Sequence, residues 1–357
     1  MKIRVLMIAT SLDEFGGISI QAARLREAFA ANALIEAAFL PNNPRLSKPL
    51  RWLQRIKFSR TFFTSLKFWW SLLITVRKYD VIHIFSAATS GYLIATLPPL
   101  FCAKLFGKKT ILNYHSGEAE DHIVQWKRTA LPTMRMFDAI VVPSGFLVYV
   151  FGKFGLKAEA IANFIDTDNF KFRRRAKLEP IFLSNRNFEW YYDVGTVIRA
   201  FDEIKKTILE ARLTIAGYGS ERKKLEDLVA ELKLKGVRFV GKVSHEEMAK
   251  LYDAADVYLN SSVVDNMPLS IIEAFACGIP VVSTDAGGIP YLVSDGETGL
   301  LAAQKDHRAL ARNAVKLLND RELAQRIIAA ARRESEKYTW EKVKAKWENF
   351  YIELNES

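Results

Sequence analysis

The chain has 357 residues, half of them apolar and a quarter charged, with 18 Gly, 11 Pro and 2 Cys. That composition excludes a collagenous or low-complexity chain and a disulfide scaffold, and the length suggests two domains at roughly 150 residues each. The formal net charge of +11 leaves nucleic acid, an anionic membrane surface and an anionic small substrate open as partners.

The first apolar run, Ile3–Ala9, is interrupted by Arg4 and followed by Asp13–Glu14 without a small-residue cleavage pattern. It reads as a strand, not a secretory signal. Further strands are predicted at Ile35–Leu40, Val81–Phe85, Thr110–Asn113 and Ala139–Val142. Helical patterns separate them at 18–31, 50–77, 90–106, 120–136 and 145–154. The stretch near 91–106 is the most apolar, but it holds Pro98, Pro99 and Lys104. It falls short of the ~18–20 residues of a spanning helix, so a cytoplasmic protein is expected. The second half repeats the scheme, with strands at Ile181–Leu183, Arg212–Ala216, Val237–Val240, Val257–Asn260 and Val281–Ser283. Its helices fall at 194–207, 220–234, 245–254 and 268–277. Strands alternating with crossover helices imply parallel sheets covered on both faces. Cys102 and Cys277 lie in apolar runs and read as buried free thiols of a reducing compartment.

The polar, basic run before Pro180 marks the boundary. The expected division is 1–165, 166–335 and a terminal helix, 336–357. In that helix Trp340, Val343, Trp347, Phe350 and Tyr351 share a face; it either returns to the first domain or caps its own. Doubly wound sheets bind ligands outside the carboxyl ends of their strands.

The most informative stretch runs from Asp265 to Pro280, DNMPLSIIEAFACGIP. Pro268 suits the first turn of a helix and Gly278 its end. The helix N-terminus then opens after a buried strand, where free amides favour an electron-rich ligand. Glu273 lies among Ile271, Ile272, Ala274 and Phe275. A carboxylate there either accepts hydrogen bonds from paired sugar hydroxyls or sits at a solvated helix edge.

This run resembles the glutamate–seven–glutamate motif of glycosyltransferase family 4. Flanking segments resemble the same family: Gly236–Val243 with Ser244–Glu247, Thr284–Gly288, Asp295–Leu301, Arg212–Gly219, and, more weakly, Glu14–Gly17 and Asn113–Glu118. The resemblance implies an α/β fold of GT-B architecture, two Rossmann-like doubly wound parallel-sheet domains facing a cleft. It implies a nucleotide-sugar donor and retention of configuration. By position it places Glu273 on the ribose hydroxyls, Asp265 toward the donor sugar and Arg186 on the diphosphate. Gly16, Gly17 and the glycine turn at Gly217 would approach the phosphates. The backbone around Asn266, Met267, Pro268 and Leu269 would hold sugar hydroxyls or phosphate, Val243 would read the base, and His115 would bond the donor sugar. Two departures stand out. Asp265 replaces a glutamate, and Tyr191 stands where the family places a second diphosphate cation; Lys242 is a candidate substitute. No cofactor or metal is expected. Asp166-Thr167-Asp168 imitates an Asp-x-Asp metal motif but reads as structural, and the five His show no metal-ligand spacing.

The charge is local. Residues 1–165 hold 21 Lys+Arg and 10 Asp+Glu; residues 166–357 hold 30 of each. No acid occurs between Glu36 and Asp80, a window with nine cations, including Arg51, Arg55, Lys57, Arg60 and Lys67, interleaved with Trp52, Phe58, Phe62, Phe63, Phe68, Trp69 and Trp70. A basic helix with Trp and Phe reads as a membrane-interface segment. The bland alternative is a crossover helix with core aromatics and solvated cations. No nucleic-acid motif accompanies the patch. The expectation is a metal-independent glycosyltransferase at the inner face of the cytoplasmic membrane, acting on a lipid-linked or envelope glycan acceptor. A nucleotide-sugar epimerase and a non-catalytic sugar-nucleotide-binding subunit are the alternatives.

Overall fold

The computed structural model describes residues 2–11, 17–46, 57–86 and 88–357, with the backbone alone at 17, 57–60 and 90. The chain divides into two compact units, Met1–Ala162 with Val343–Ser357, and Asn163–Lys342.

The first unit is a parallel sheet of β1 (Ile3–Ala9), β2 (Ile35–Pro41), β3 (Val81–Ser86), β4 (Lys109–Tyr114), β5 (Ala139–Val142) and β6 (Glu159–Ala160), in the order β2-β1-β3-β4-β5-β6. Every residue of β3 is buried, as in a strand covered on both faces. The strand order reverses between β1 and β3, a topological switch point. The exposed two-residue β6 has no apolar run and was not foreseen.

Two helical expectations are broken by identifiable residues. Pro98 and Pro99 have no N–H to donate, so a regular helix cannot run through them. The helix proper is Leu97–Leu105, and the turn before it widens, with Leu97 N–H reaching the Tyr92 carbonyl. The pattern over 120–136 is two helices, Ala119–Gln125 and Lys127–Met134, separated at Trp126.

The last helix, Trp340–Glu356, buries Trp347, Phe350, Tyr351 and Leu354, and from Val343 it belongs with the first unit. Its anchor is His83. Asn113 Nδ2 donates to His83 Nε2 (2.9 Å), which leaves Nδ1–H to donate to the Tyr351 hydroxyl (2.6 Å). The ring stacks on Phe85 at 4.5 Å. Burial pushes the His83 pKa down to about 3. His83 is therefore a satisfied core histidine.

The second unit is a parallel sheet of β7 (Ile181–Ser184), β8 (Arg212–Ala216), β9 (Val237–Gly241), β10 (Val257–Asn260), β11 (Val281–Thr284) and β12 (Leu300–Ala302), in the order β12-β11-β10-β7-β8-β9. Apolar residues at helical spacing cover one face: Val194, Val197, Ile198, Phe201 and Ile204 from the helix Val194–Lys205, and Leu310, Ala314 and Leu317 from His307–Asn319. The switch point lies between β7 and β10. The loops leaving those two strands carry Arg186 and Asp265.

Candidate active site

β7 ends at Ser184 and β10 at Asn260. Because the two strands are neighbours, Arg186 and Asp265 meet although 79 residues separate them. Arg186 Nη2 donates to Asp265 Oδ2 at 2.5 Å and Nη1 to Ser270 Oγ at 3.1 Å. The guanidinium carbon lies 4.0 Å from the centroid of the Tyr192 ring, a cation–π contact. Both charged side chains are about one-tenth exposed, 10% for Arg186 and 11% for Asp265. Burial is the largest influence and works against the Arg186 charge, but the Asp265 carboxylate together with Tyr192, Tyr258 and Tyr252 outweighs it and the guanidinium is held above its ordinary pKa.

Asp265 is tied back into its own loop. Ser262 Oγ lies within donating distance of Asp265 Oδ2 and of Asn260 Oδ1 (3.0 Å each), and the Asn266 N–H donates to Asp265 Oδ1 (3.0 Å). The glycine loops are packed against these two residues. A Cβ on Gly217 would stand 2.2 Å from the Arg186 carbonyl oxygen; on Gly287 it would stand 2.3 Å from that of Asp265, and on Gly288 2.1 Å from that of Asn266. Close backbone approach explains these glycines.

The helix Leu269–Ala276 follows, with Pro268 at its N-cap. At its other end Gly278 takes φ +71°, the Ile279 N–H reaches the Ala274 carbonyl (2.9 Å) and the Gly278 N–H that of Phe275 (3.0 Å). That is a Schellman closure. Glu273 is 7% exposed, so it is not a solvated helix-edge charge. The Tyr252 hydroxyl accepts from Asn185 Nδ2 (2.8 Å) and lies within donating distance of Glu273 Oε2 (3.2 Å) and the Ser270 carbonyl (2.9 Å). Burial, reinforced by Glu273, raises the Tyr252 pKa well above the usual phenol value. Tyr252 is therefore a neutral donor.

Met267 and Pro268 are buried and Leu269 opens the helix. Lys242 is exposed, with Nζ 5.6 Å from the centroid of the Tyr218 ring, and Val243 precedes the capping box Ser244–Glu247. Asp166 accepts from the Asp168 N–H (3.1 Å) and from Asn169 Nδ2 (2.5 Å), which makes it a turn-forming residue. Among the described residues no three His, Cys, Asp or Glu gather as a metal-ligand group.

In the first unit, His115 follows β4. Its ring stacks near Phe85 (5.8 Å), and burial lowers its pKa to about 4. Its Nε2 is buried with no hydrogen-bond partner among the described residues. Gly17 begins the helix Gly17–Ala28. Gly16, Arg51 and Arg55 lie outside the described residues, as do the side chains of Lys57 and Arg60. The helix Lys57–Thr75 divides its aromatics. Phe68 and Leu72 are buried, whereas Phe62, Leu66, Trp69, Trp70 and Ile74 are exposed along one stripe, with Trp70 at 67%. Lys67 Nζ donates to the Arg45 carbonyl. No helix among the described residues is long and apolar enough to cross a membrane.

Sequence reasoning missed Tyr252, Tyr192, Ser270 and Arg175. The Arg175 side chain is fully buried. It donates to the carbonyls of Tyr252 (3.0 Å) and Ala255 (2.8 Å) at the end of the helix His245–Ala254, and to those of Cys277 (2.5 Å) and Gly278 (3.1 Å) after Leu269–Ala276. One cation thus caps the two helices bearing Tyr252 and Glu273, where helix dipoles favour it. It stands in a basic run that looked like irregular linker. The last of three consecutive arginines gives no sign that it alone is buried.

The description Glycosyltransferase Family 4 matches residues 15–169, and Glycosyl transferases group 1 matches residues 166–334. The chain belongs to this glycosyltransferase family. It is 31% identical over 207 residues to N-acetyl-alpha-D-glucosaminyl L-malate synthase of Bacillus anthracis, a match covering 55% of this chain and 54% of the synthase. The matched stretch thus spans about half the length of that curated relative. Sucrose-phosphate synthase from Thermosynechococcus elongatus shares the fold, with a TM-score of 0.80 over 99% of both chains at 23% identity. So does Anabaena HepE, solved in complex with UDP and glucose, with a TM-score of 0.77 over 98% of this chain and 99% of that one at 16% identity. The two parallel sheets are those of a GT-B glycosyltransferase.

Proposed function

We propose that the chain is a retaining, metal-independent glycosyltransferase that moves a sugar from a nucleoside-diphosphate donor to a hydroxyl of a lipid-linked or envelope glycan acceptor. The observation that carries this reading is the placement of Arg186, Asp265 and Glu273 at the β7/β10 switch point, where doubly wound sheets bind nucleotides. Glu273 would accept the ribose hydroxyls. Arg186 and the amides around Asn266–Leu269 would stabilise the charge that develops on the departing diphosphate. Retention would then be a front-face departure in which the leaving phosphate helps deprotonate the acceptor. The UDP and glucose held by HepE support a donor of this kind.

The first unit would dock on the inner face of the cytoplasmic membrane. The exposed stripe Phe62, Leu66, Trp69, Trp70 and Ile74, on a helix within the acid-free stretch of sequence between Glu36 and Asp80, supports an anionic lipid surface as its partner. Two measurements test the whole reading. In a donor screen on the purified chain, Glu273→Ala should bind its donor at least about tenfold more weakly, the size of a lost hydrogen bond to a charged group. Turnover and binding equal to wild type would refute the site. Trp69→Ala with Trp70→Ala should abolish co-sedimentation with phosphatidylserine vesicles; unchanged partitioning would refute the membrane assignment.

A further inference from the structure

Resemblance places Asp265 toward the donor sugar, yet its carboxylate is directed at groups of its own chain. Oδ2 accepts from Arg186 Nη2 at 2.5 Å and has Ser262 Oγ within hydrogen-bonding distance at 3.0 Å, and Oδ1 accepts from the Asn266 N–H at 3.0 Å. Gly287 and Gly288 close over the carbonyls of Asp265 and Asn266 with no room for a Cβ, so the loop holds the carboxylate in place.

Arg186 is held at both terminal nitrogens and on one face of its guanidinium. Nη2 is on Asp265, Nη1 on Ser270, and the Tyr192 ring lies against the guanidinium face. Only Nε is buried without a hydrogen-bond partner among the described residues. A guanidinium this buried needs a counter-charge when the site is empty. With tyrosine at position 191, Arg186 is the cation that faces Asp265, its side chain 10% exposed.

We propose that Asp265 is the built-in counter-ion of Arg186: a positioning residue that competes with the donor's diphosphate for the guanidinium and so limits how tightly the diphosphate is held. This rests on the nucleotide-diphosphate reading of the site. With the carboxylate in place, a diphosphate arriving at Arg186 meets a cation already neutralised, so the leaving group binds weakly enough to depart. The shorter aspartate fits this role, since it bonds the next residue's amide while its second oxygen faces Arg186.

The test is calorimetric titration of UDP, GDP, ADP and UDP-glucose into wild type, Asp265→Asn, Asp265→Glu, and Asp265→Asn in an Arg186→Gln background. Asp265→Asn keeps the shape and removes the charge. It should bind the nucleoside diphosphate at least tenfold more tightly, with the gain shrinking in high salt and vanishing in the Arg186→Gln background. It should also lower kcat through slower product release. Asp265→Glu, which keeps the charge, should stay within about threefold of wild type. A merely structural defect does not tighten binding. Diphosphate affinity that is unchanged or weaker in Asp265→Asn, with only the nucleotide-sugar affinity altered, would overturn the assignment and make Asp265 a sugar ligand. Failure of wild type and every variant to bind any of the three diphosphates would overturn the donor site itself, and this assignment with it.

Discussion

Replacing Tyr252 by Phe isolates one oxygen at the candidate active site. The ring is fully buried, edge-on to Phe170 at 5.5 Å and tilted against Tyr258 at 6.1 Å. Phe fills the same space, so no cavity forms. What disappears is the acceptor of Asn185 Nδ2 (2.8 Å) and the donor facing Glu273 Oε2 (3.2 Å) and the Ser270 carbonyl (2.9 Å). A buried hydrogen bond involving a charged group contributes about 1.5–3 kcal/mol, so the variant should lose about 2 kcal/mol. For a cooperative unit of this size that lowers Tm by about 4–8 °C. Glu273 also loses the group that fixes Oε2, so donor affinity should fall by about tenfold, or 1.4 kcal/mol. Because burial and Glu273 hold the Tyr252 pKa well above its ordinary value, the hydroxyl stays protonated and the difference from wild type should be constant from pH 6 to pH 9. Differential scanning fluorimetry and titration with the nucleotide measure both effects. A variant that melts within about 1 °C of wild type and binds equally well would refute the network.

Gly288→Ala tests the close approach of the loops: φ is −85° at this position, so the backbone tolerates any residue, but the new Cβ would sit 2.1 Å from the Asn266 oxygen. It should cost about 1–3 kcal/mol and weaken donor binding, whereas Gly152→Ala, with nothing within 4 Å, should leave both unchanged; equal behaviour of the two variants would contradict the packing argument. Acid stability of the first unit should follow its buried histidines. Burial lowers His83 to about 3 and His122 to about 4, so below the ordinary value near 6.5 the unfolded chain binds more protons than the folded one. Stability is then complete above about pH 6.5 and falls as pH drops toward 4, by up to about 1.4 kcal/mol per pH unit for each histidine. Urea titrations at pH 7 and pH 5 that gave the same unfolding free energy would exclude this.

Much of the fold was legible because its signals are local. All five strand cores expected in each half lie inside observed strands, since a strand buried on both faces must be a short apolar run. The missed strands, β6 and β12, span two and three residues, too short to carry a period. Pro268 and Gly278 marked the ends of the Glu273 helix because proline and glycine act through their own backbone. Pro98 and Pro99 equally announced trouble in the 90–106 helix, but not the widened turn by which the chain absorbs it.

The sequence, through its resemblance to the family, pointed to the residues proposed to carry the chemistry, Arg186, Asp265 and Glu273 with two glycine loops, and by itself showed a cationic aromatic segment without acids. Only the tertiary structure decided what those residues face. The adjacency of β7 and β10 brings Arg186 onto Asp265, and the packing of the helix His245–Ala254 brings Tyr252 onto Glu273. The same holds for the +11 charge. Its location was countable, but that Phe68 turns inward while Trp69 and Trp70 turn outward depends on which face of the helix meets the sheet. Pairing between distant residues comes from strand order and crossover, and neither is written in a local pattern.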